Sequence, residues 1–269
     1  MVRKAFTLLE SFSWKRRELT LNELVAGTGF SKTTTHRLAK TLVALGCLSY
    51  KPQTGRYQLG AKLLEFGGIY LAQLDLRHVA SVYVAELAEE TGDTAYLVVP
   101  DNDEALCIER VEGIHEVRVV SLLLGGRLPL HCGAAALTIL SGMTDDKISH
   151  VLLSKGLSKR TEHTIGDVDE LFRVVESIRR QGHVVRKGDV TEGVGSVGAP
   201  VRDHMGEVVA AISLGCIIPR FDPVRVPLLV QCVRRAADLV SRDLGYSGRR
   251  FADQSSEADE RRLGSAARS

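Results

Sequence analysis

Several features are missing from this sequence, and each absence removes a class of function. No apolar run approaches the roughly 18 residues that a membrane-spanning helix needs, and the first residues carry no signal-peptide pattern. A cytoplasmic protein that does not enter the membrane is expected. Cysteine is sparse: Cys47, Cys107, Cys132, Cys216 and Cys232 are odd in number and never closely spaced, which excludes a disulfide scaffold and a zinc-ligand pair and fits reduced thiols. There is no HExxH and no GxxxxGK[ST] loop, so metalloprotease and phosphate-loop chemistry are disfavoured. Neither sign of charge dominates the chain, with 35 Lys and Arg against 33 Asp and Glu in 269 residues.

That balance conceals an asymmetry. Residues 1–60 hold ten basic residues (Arg3, Lys4, Lys15, Arg16, Arg17, Lys32, Arg37, Lys40, Lys51 and Arg56) against Glu10, Glu18 and Glu23, a net +7. The remainder of the chain is therefore −5. A basic module on a mildly acidic body points to a polyanionic partner.

The pattern of that basic head is specific. Apolar residues recur at helical spacing from Met1 to Phe12, and Thr20 with Glu23 forms a capping-box signature for a second, short helix. After a turn at Gly27 and Gly29, Ser31 is placed to cap a third helix. Its expected buried stripe is Thr34, Leu38, Leu42 and Leu45, with Lys32, Thr33, His36, Arg37 and Lys40 outward. Two alternating runs, 48–51 and 56–59, surround a Pro52–Gly55 turn and predict a hairpin with Lys51 and Arg56 near its tip. Three helices and a hairpin make a winged helix-turn-helix. An outward helix bearing Arg, Lys and Thr suits the major groove, and cations at a wing tip suit phosphates. A winged helix used for protein contacts is the alternative, and the +7 balance disfavours it.

Beyond the hairpin, residues 61–75 predict a linker helix and 76–90 another. Short β-rich runs follow at 94–99, 105–110 and 116–121. Helices are expected at 133–142, 144–154 and 167–181, strands at 196–202 and 207–217, and a last helix from 223 to about 245. This order describes an α+β domain with one antiparallel sheet. The run Gly193-Val-Gly-Ser-Val-Gly198 precedes a strand rather than opening a helix, against a dinucleotide loop. His131 and Cys132 are adjacent and so poorly placed as base and nucleophile. No enzymatic activity and no cofactor are expected. A metabolite-binding or enzymatic body, with the winged helix serving protein contacts, stands as the alternative. Residues 247–269 lack large apolar side chains apart from Phe251 and Leu263 and are expected to be a disordered tail.

With these motifs in order, residues 1 to about 245 resemble the IclR family of bacterial transcriptional regulators. The resemblance is carried by Ser31-Lys-Thr-Thr-Thr-His-Arg-Leu38, Thr54-Gly-Arg-Tyr-Gln-Leu-Gly60, Leu87-Ala-Glu-Glu-Thr-Gly92, Arg127-Leu-Pro-Leu-His-Cys132, Gly198-Ala-Pro-Val201 and Val208-Val-Ala-Ala-Ile-Ser213. It implies a DNA-binding domain at 1–60, a linker at 61–75 and a GAF-like effector domain at 76–246. It also implies a homodimer or a dimer of dimers on a palindromic double-stranded operator, modulated by a small organic acid. DNA contacts are then expected from Ser31, Lys32, Thr33, His36, Arg37, Lys40, Lys51, Arg56, Arg16 and Arg17. Effector contacts are expected from Ala134, Ala135, Arg186, Ser196, Ser213 and Gly215. Three of these positions depart from the family's pattern. Arg186 stands at an Asp position, Ser196 at a Cys position and Gly215 at a Ser position, which suggests a bulkier acid whose carboxylate Arg186 would grip.

Overall fold

The computed structural model describes residues 1–13, 15–72 and 75–248 and divides the chain into two compact units, Met1–Leu74 and Asp75–Ser269. Trp14 and the tail from residue 249 on lie outside the described residues.

The first unit runs α1 (Val2–Leu9), β1 (Glu18–Thr20), α2 (Leu21–Thr28), α3 (Lys32–Ala44), β2 (Leu48–Lys51), β3 (Arg56–Leu59) and α4 (Ala61–Ala72). The capping box forms as its sequence dictates. Thr20 Oγ1 accepts from the Glu23 amide at 3.3 Å, and Glu23 Oε2 accepts from the Thr20 amide at 2.7 Å. Ser31 caps α3 by accepting from the Thr34 amide at 3.3 Å. Leu8, Phe12, Leu19, Leu24, Leu38, Leu42, Leu48 and Tyr57 close one core beneath these helices.

Two expectations are corrected here. The buried stripe of α3 is Thr35, Leu38, Ala39 and Leu42, while Leu45 is 62% exposed. Positions 35, 38, 39 and 42 keep the i, i+3, i+4, i+7 period, whereas Leu45 already lies at the C-cap, where the helix path ends. Thr35 is buried without penalty because its hydroxyl donates to the Ser31 carbonyl at 3.1 Å. Strand β1 was not expected. It joins the hairpin antiparallel to β3, giving the order β1-β3-β2, with Leu19 opposite Tyr57.

The second unit runs α5 (Asp75–Thr91), β4 (Thr94–Asp101), β5 (Glu104–Val111), β6 (Arg127–Pro129), α6 (Ala134–Ser141), α7 (Asp145–Lys155), α8 (Val168–Gln181), β7 (Val184–Lys187), β8 (Val194–Arg202), β9 (Val208–Ile217) and α9 (Arg225–Asp243). Its six strands form one antiparallel sheet in the order β6-β5-β4-β9-β8-β7. Both faces are covered. Tyr96 and Val98 pack into the core beneath α6, α7 and α8, and the intervening Ala95 and Leu97 are fully buried on the other face. Helices α5 and α9 pack against each other and on the sheet.

The strand expected at 116–121 is absent, and residues 112–126 form an irregular segment. The free edge of β5 is taken instead by β6, which pairs Leu106 with Arg127 and Glu104 with Pro129. Val119 and Leu122 of the irregular segment turn inward and are buried, so its apolar residues serve a cavity wall rather than a ladder. The glycine run proves to be the start of β8. A Cβ at Gly198 would stand 2.7 Å from the Ala134 carbonyl oxygen, so this glycine admits the first turn of α6 against the sheet.

Candidate functional site

Each unit presents one candidate surface. In the first, Lys32, Thr33, His36, Arg37 and Lys40 are all exposed along α3, opposite its buried stripe. Ser31 is exposed at the helix start, with its hydroxyl engaged by Thr34. Arg16 and Arg17 are exposed in the stretch between α1 and β1.

The wing differs from a pair of solvated cations. Lys51 Nζ lies 2.5 Å from Glu18 Oε1, and Arg56 Nη1 donates to the Glu18 carbonyl at 3.2 Å and stands 3.6 Å from Glu23 Oε2. The hydrogen bond and charge of Lys51 hold the Glu18 carboxyl below its usual value. Glu18 is therefore an ionised neighbour of both wing cations. Sequence reading assigned it no role, because only the pairing of β1 with β3 brings it there.

In the second unit a small cavity of about 50 Å³, partly open to solvent, lies between α6, the sheet and the 119–122 segment. The register places Ser196 opposite Gly215 and Gly198 opposite Ser213, so the two-residue period turns these positions to one face. Ala134 and Ala135, in the first turn of α6, complete that wall. The structure thus brings together five of the six expected effector residues: Ala134, Ala135, Ser196, Ser213 and Gly215.

Arg186 is the exception. It sits on β7 opposite Ser196 but is not among the residues lining the cavity; its side chain donates to Asp189 Oδ2, at 3.2 Å, and to the His163 carbonyl, at 3.1 Å. The cavity carries a carboxylate that sequence reading did not single out. Asp189 is 3% exposed, lines the cavity, and accepts the Gly133 amide at 2.9 Å. Gly133 occupies φ +86°, a left-handed region that favours glycine, and this conformation delivers its amide to Asp189. The only sequence signal was an Asp beside a glycine after a short β-rich run.

The cavity chemistry is hydrogen bonding set in an apolar shell. Tyr96, Val119, Leu122, Leu128 and Val190 supply hydrophobic wall. The hydroxyls of Ser121, Ser196 and Ser213 have no hydrogen-bond partner among the described residues, although Ser213 is only 5% exposed. Cys132 is fully buried, and burial pushes its thiol up to about 11. His131 Nε2 is bonded to the Ser158 carbonyl at 3.0 Å, so the two adjacent residues do not form a nucleophile and base. Among the described residues no group of three or more His, Cys, Asp or Glu could hold a metal, and no helix is long and apolar enough to cross a membrane.

Comparison with known proteins matches both units to one family. Residues 1–52 fit the IclR helix-turn-helix domain, and residues 68–242 fit the C-terminal domain of the bacterial transcriptional regulator IclR. The HTH-type transcriptional regulator KipR of Bacillus subtilis (strain 168) is 34% identical over 244 residues, covering 91% of this chain and 96% of KipR. Among solved structures, the IclR protein of Thermotoga maritima superposes with a TM-score of 0.75 at 27% identity, over 91% of this chain and 98% of that one. An IclR homologue from Microbacterium hydrocarbonoxydans, crystallised with 4-hydroxybenzoate, gives a TM-score of 0.78 at 25% identity, over 90% and 98% of the two chains. Helix-turn-helix unit, α+β unit and sequence relatives agree: the chain belongs to the IclR family, a transcriptional regulator with an N-terminal DNA-binding domain and a C-terminal effector-binding domain.

Proposed function

We propose that this protein is not an enzyme but binds a palindromic operator as a dimer or a dimer of dimers, in the cytoplasm, and that a small organic effector in the α6–sheet cavity alters its hold on DNA. The observation that carries this reading is α3. Five polar and basic side chains, Lys32, Thr33, His36, Arg37 and Lys40, are exposed on a helix whose other face is locked into the core. Such a helix is rigid enough to place Arg37 and its neighbours at base edges, while Arg16, Arg17, Lys40, Lys51 and Arg56 serve phosphates. The exposed apolar side chains of α4 (Leu64, Phe66 and Ile69) suit contact with a second copy.

On the effector side, an apolar cavity with a few unpartnered hydroxyls is the arrangement expected of a small-molecule site. The homologue's ligand, 4-hydroxybenzoate, makes aromatic acids and their hydroxy analogues the first class to try here. The test is footprinting of the region upstream of the protein's own gene, with and without such compounds. Protection of a two-fold symmetric sequence that a compound changes is the expected result. Absence of protection at any salt concentration would overturn the DNA-binding reading.

A further inference from the structure

The cavity contains both hydrogen-bond donors and a carboxylate acceptor, and no ligand group of a single charge satisfies both. Helix α6 begins at Ala134, and the first-turn amides of Ala134 and Ala135 have no acceptor among the described residues. These donors, with the helix dipole behind them, attract an oxygen. Beside them, Asp189 already occupies the Gly133 amide through Oδ2, which also takes the Arg186 guanidinium. Its other oxygen, Oδ1, accepts no hydrogen bond among the described residues. The buried Ser213 hydroxyl is likewise unpartnered in the same wall.

A ligand carboxylate would satisfy the amides of Ala134 and Ala135 but would bring a second negative charge to Asp189. Arg186 engages Asp189 through Oδ2 and also donates to the His163 carbonyl, so Oδ1 is left as an acceptor with no donor among the described residues. An ammonium would satisfy Asp189 and set a cation against the positive end of α6. A hydroxyl has the needed duality: its oxygen accepts from the amides and its proton is donated to Asp189.

We propose that Asp189 makes this cavity selective for an uncharged, hydroxyl-bearing apolar ligand, and that a carboxylate is disfavoured at the α6 end. The inference rests on the reading of the cavity as the effector site and narrows its ligand class, with the hydroxyl rather than the carboxylate of an aromatic compound at the α6 end. It also replaces the expected role of Arg186, which holds Asp189 rather than the ligand.

The test uses three probes of one size, benzyl alcohol, benzoate and benzylammonium, with the full chain, followed by calorimetry and by backbone amide resonances. Benzyl alcohol is expected to bind about tenfold or more tightly than either ion, shifting the resonances of Ala135 and Ser213. In Asp189→Asn the like charge is gone, and benzoate should recover to within about threefold of benzyl alcohol. The ranking on the unmodified protein decides the matter even if the variant fails to fold. Benzoate binding as tightly as benzyl alcohol would overturn the selectivity and leave the cavity as the effector site. No resonance shift at the cavity with any probe at saturating concentration would overturn that underlying reading as well.

Discussion

Lys51 and Glu18 stand 2.5 Å apart, joined across the β1-β3-β2 sheet by an ion pair between side chains that remain partly exposed. A cation expected to meet DNA phosphate therefore already has an anion beside it. Because both groups are hydrated, the pair adds little stability, but it lowers the local positive potential. Glu18→Gln should raise non-specific DNA affinity and steepen the dependence of log affinity on log salt by about one. Fluorescence anisotropy across a salt series reads both; an unchanged slope would separate the wing from the DNA.

Arg37 is exposed in the middle of α3, one turn beyond Thr33. Arg37→Ala is expected to cost about 1–3 kcal/mol on the operator and to relax base preference at one position. Lys40→Ala should weaken all sequences alike. Competition binding against randomised operators distinguishes the two, and uniform loss in Arg37→Ala would reassign it to the backbone.

Gly198 faces Ala134 so closely that a Cβ would sit 2.7 Å from its carbonyl oxygen. Backbone of α6 must move to admit it. Gly198→Ala should destabilise the second unit by about 1–3 kcal/mol, seen as a lower urea midpoint, and should weaken binding in the cavity because Ala134 shifts. Wild-type stability in this variant would mean that α6 is not held against β8 as described.

The thiols of Cys107, Cys132 and Cys216 are buried and pushed up by that burial, to about 12, about 11 and about 11 respectively. Cys47 is only partly buried. Iodoacetamide at pH 8 should therefore alkylate Cys47 first and leave these three and Cys232, which is also buried with its thiol pushed up, unmodified until urea unfolds the second unit. Mass spectrometry of the digest reads the order. Early labelling of Cys132 would contradict the closed packing around α6.

Much of the architecture was legible in residues because it is local. Thr20 and Glu23 announce the start of α2, and the leucines at 38 and 42 announce a buried helix face, through spacings that neighbouring residues alone satisfy. The short strands β1, β6 and β7 were not legible, since, unlike β2 and β3 on either side of the Pro52–Gly55 turn, they have no adjacent hairpin turn to distinguish two or three alternations from a loop. The β-branched run around Val117–Val120 misled for the opposite reason. It has strand character, but β6 occupies the edge it would need.

The site divides in the same way. The resemblance located Ala134, Ala135, Ser196, Ser213 and Gly215, and the cavity assembles all five. Arg186 was expected to grip a ligand carboxylate, yet its guanidinium turns to Asp189 because a buried carboxylate lies within reach. Asp189 itself escaped notice. Its partner Gly133 is 56 residues away in the chain, and no local spacing connects them.

The sequence by itself determined a basic helix-turn-helix head, an α+β body and the outward face of α3, because charge, period and caps are properties of neighbouring residues. Only the tertiary structure decided how the charges are spent. It set Glu18 beside Lys51, Asp189 on the Gly133 amide and Arg186 behind Asp189. Those partnerships depend on strand pairing and on one helix end meeting a distant loop, and at such contacts hydrogen-bond geometry and burial, rather than sequence pattern, fix which charge meets which.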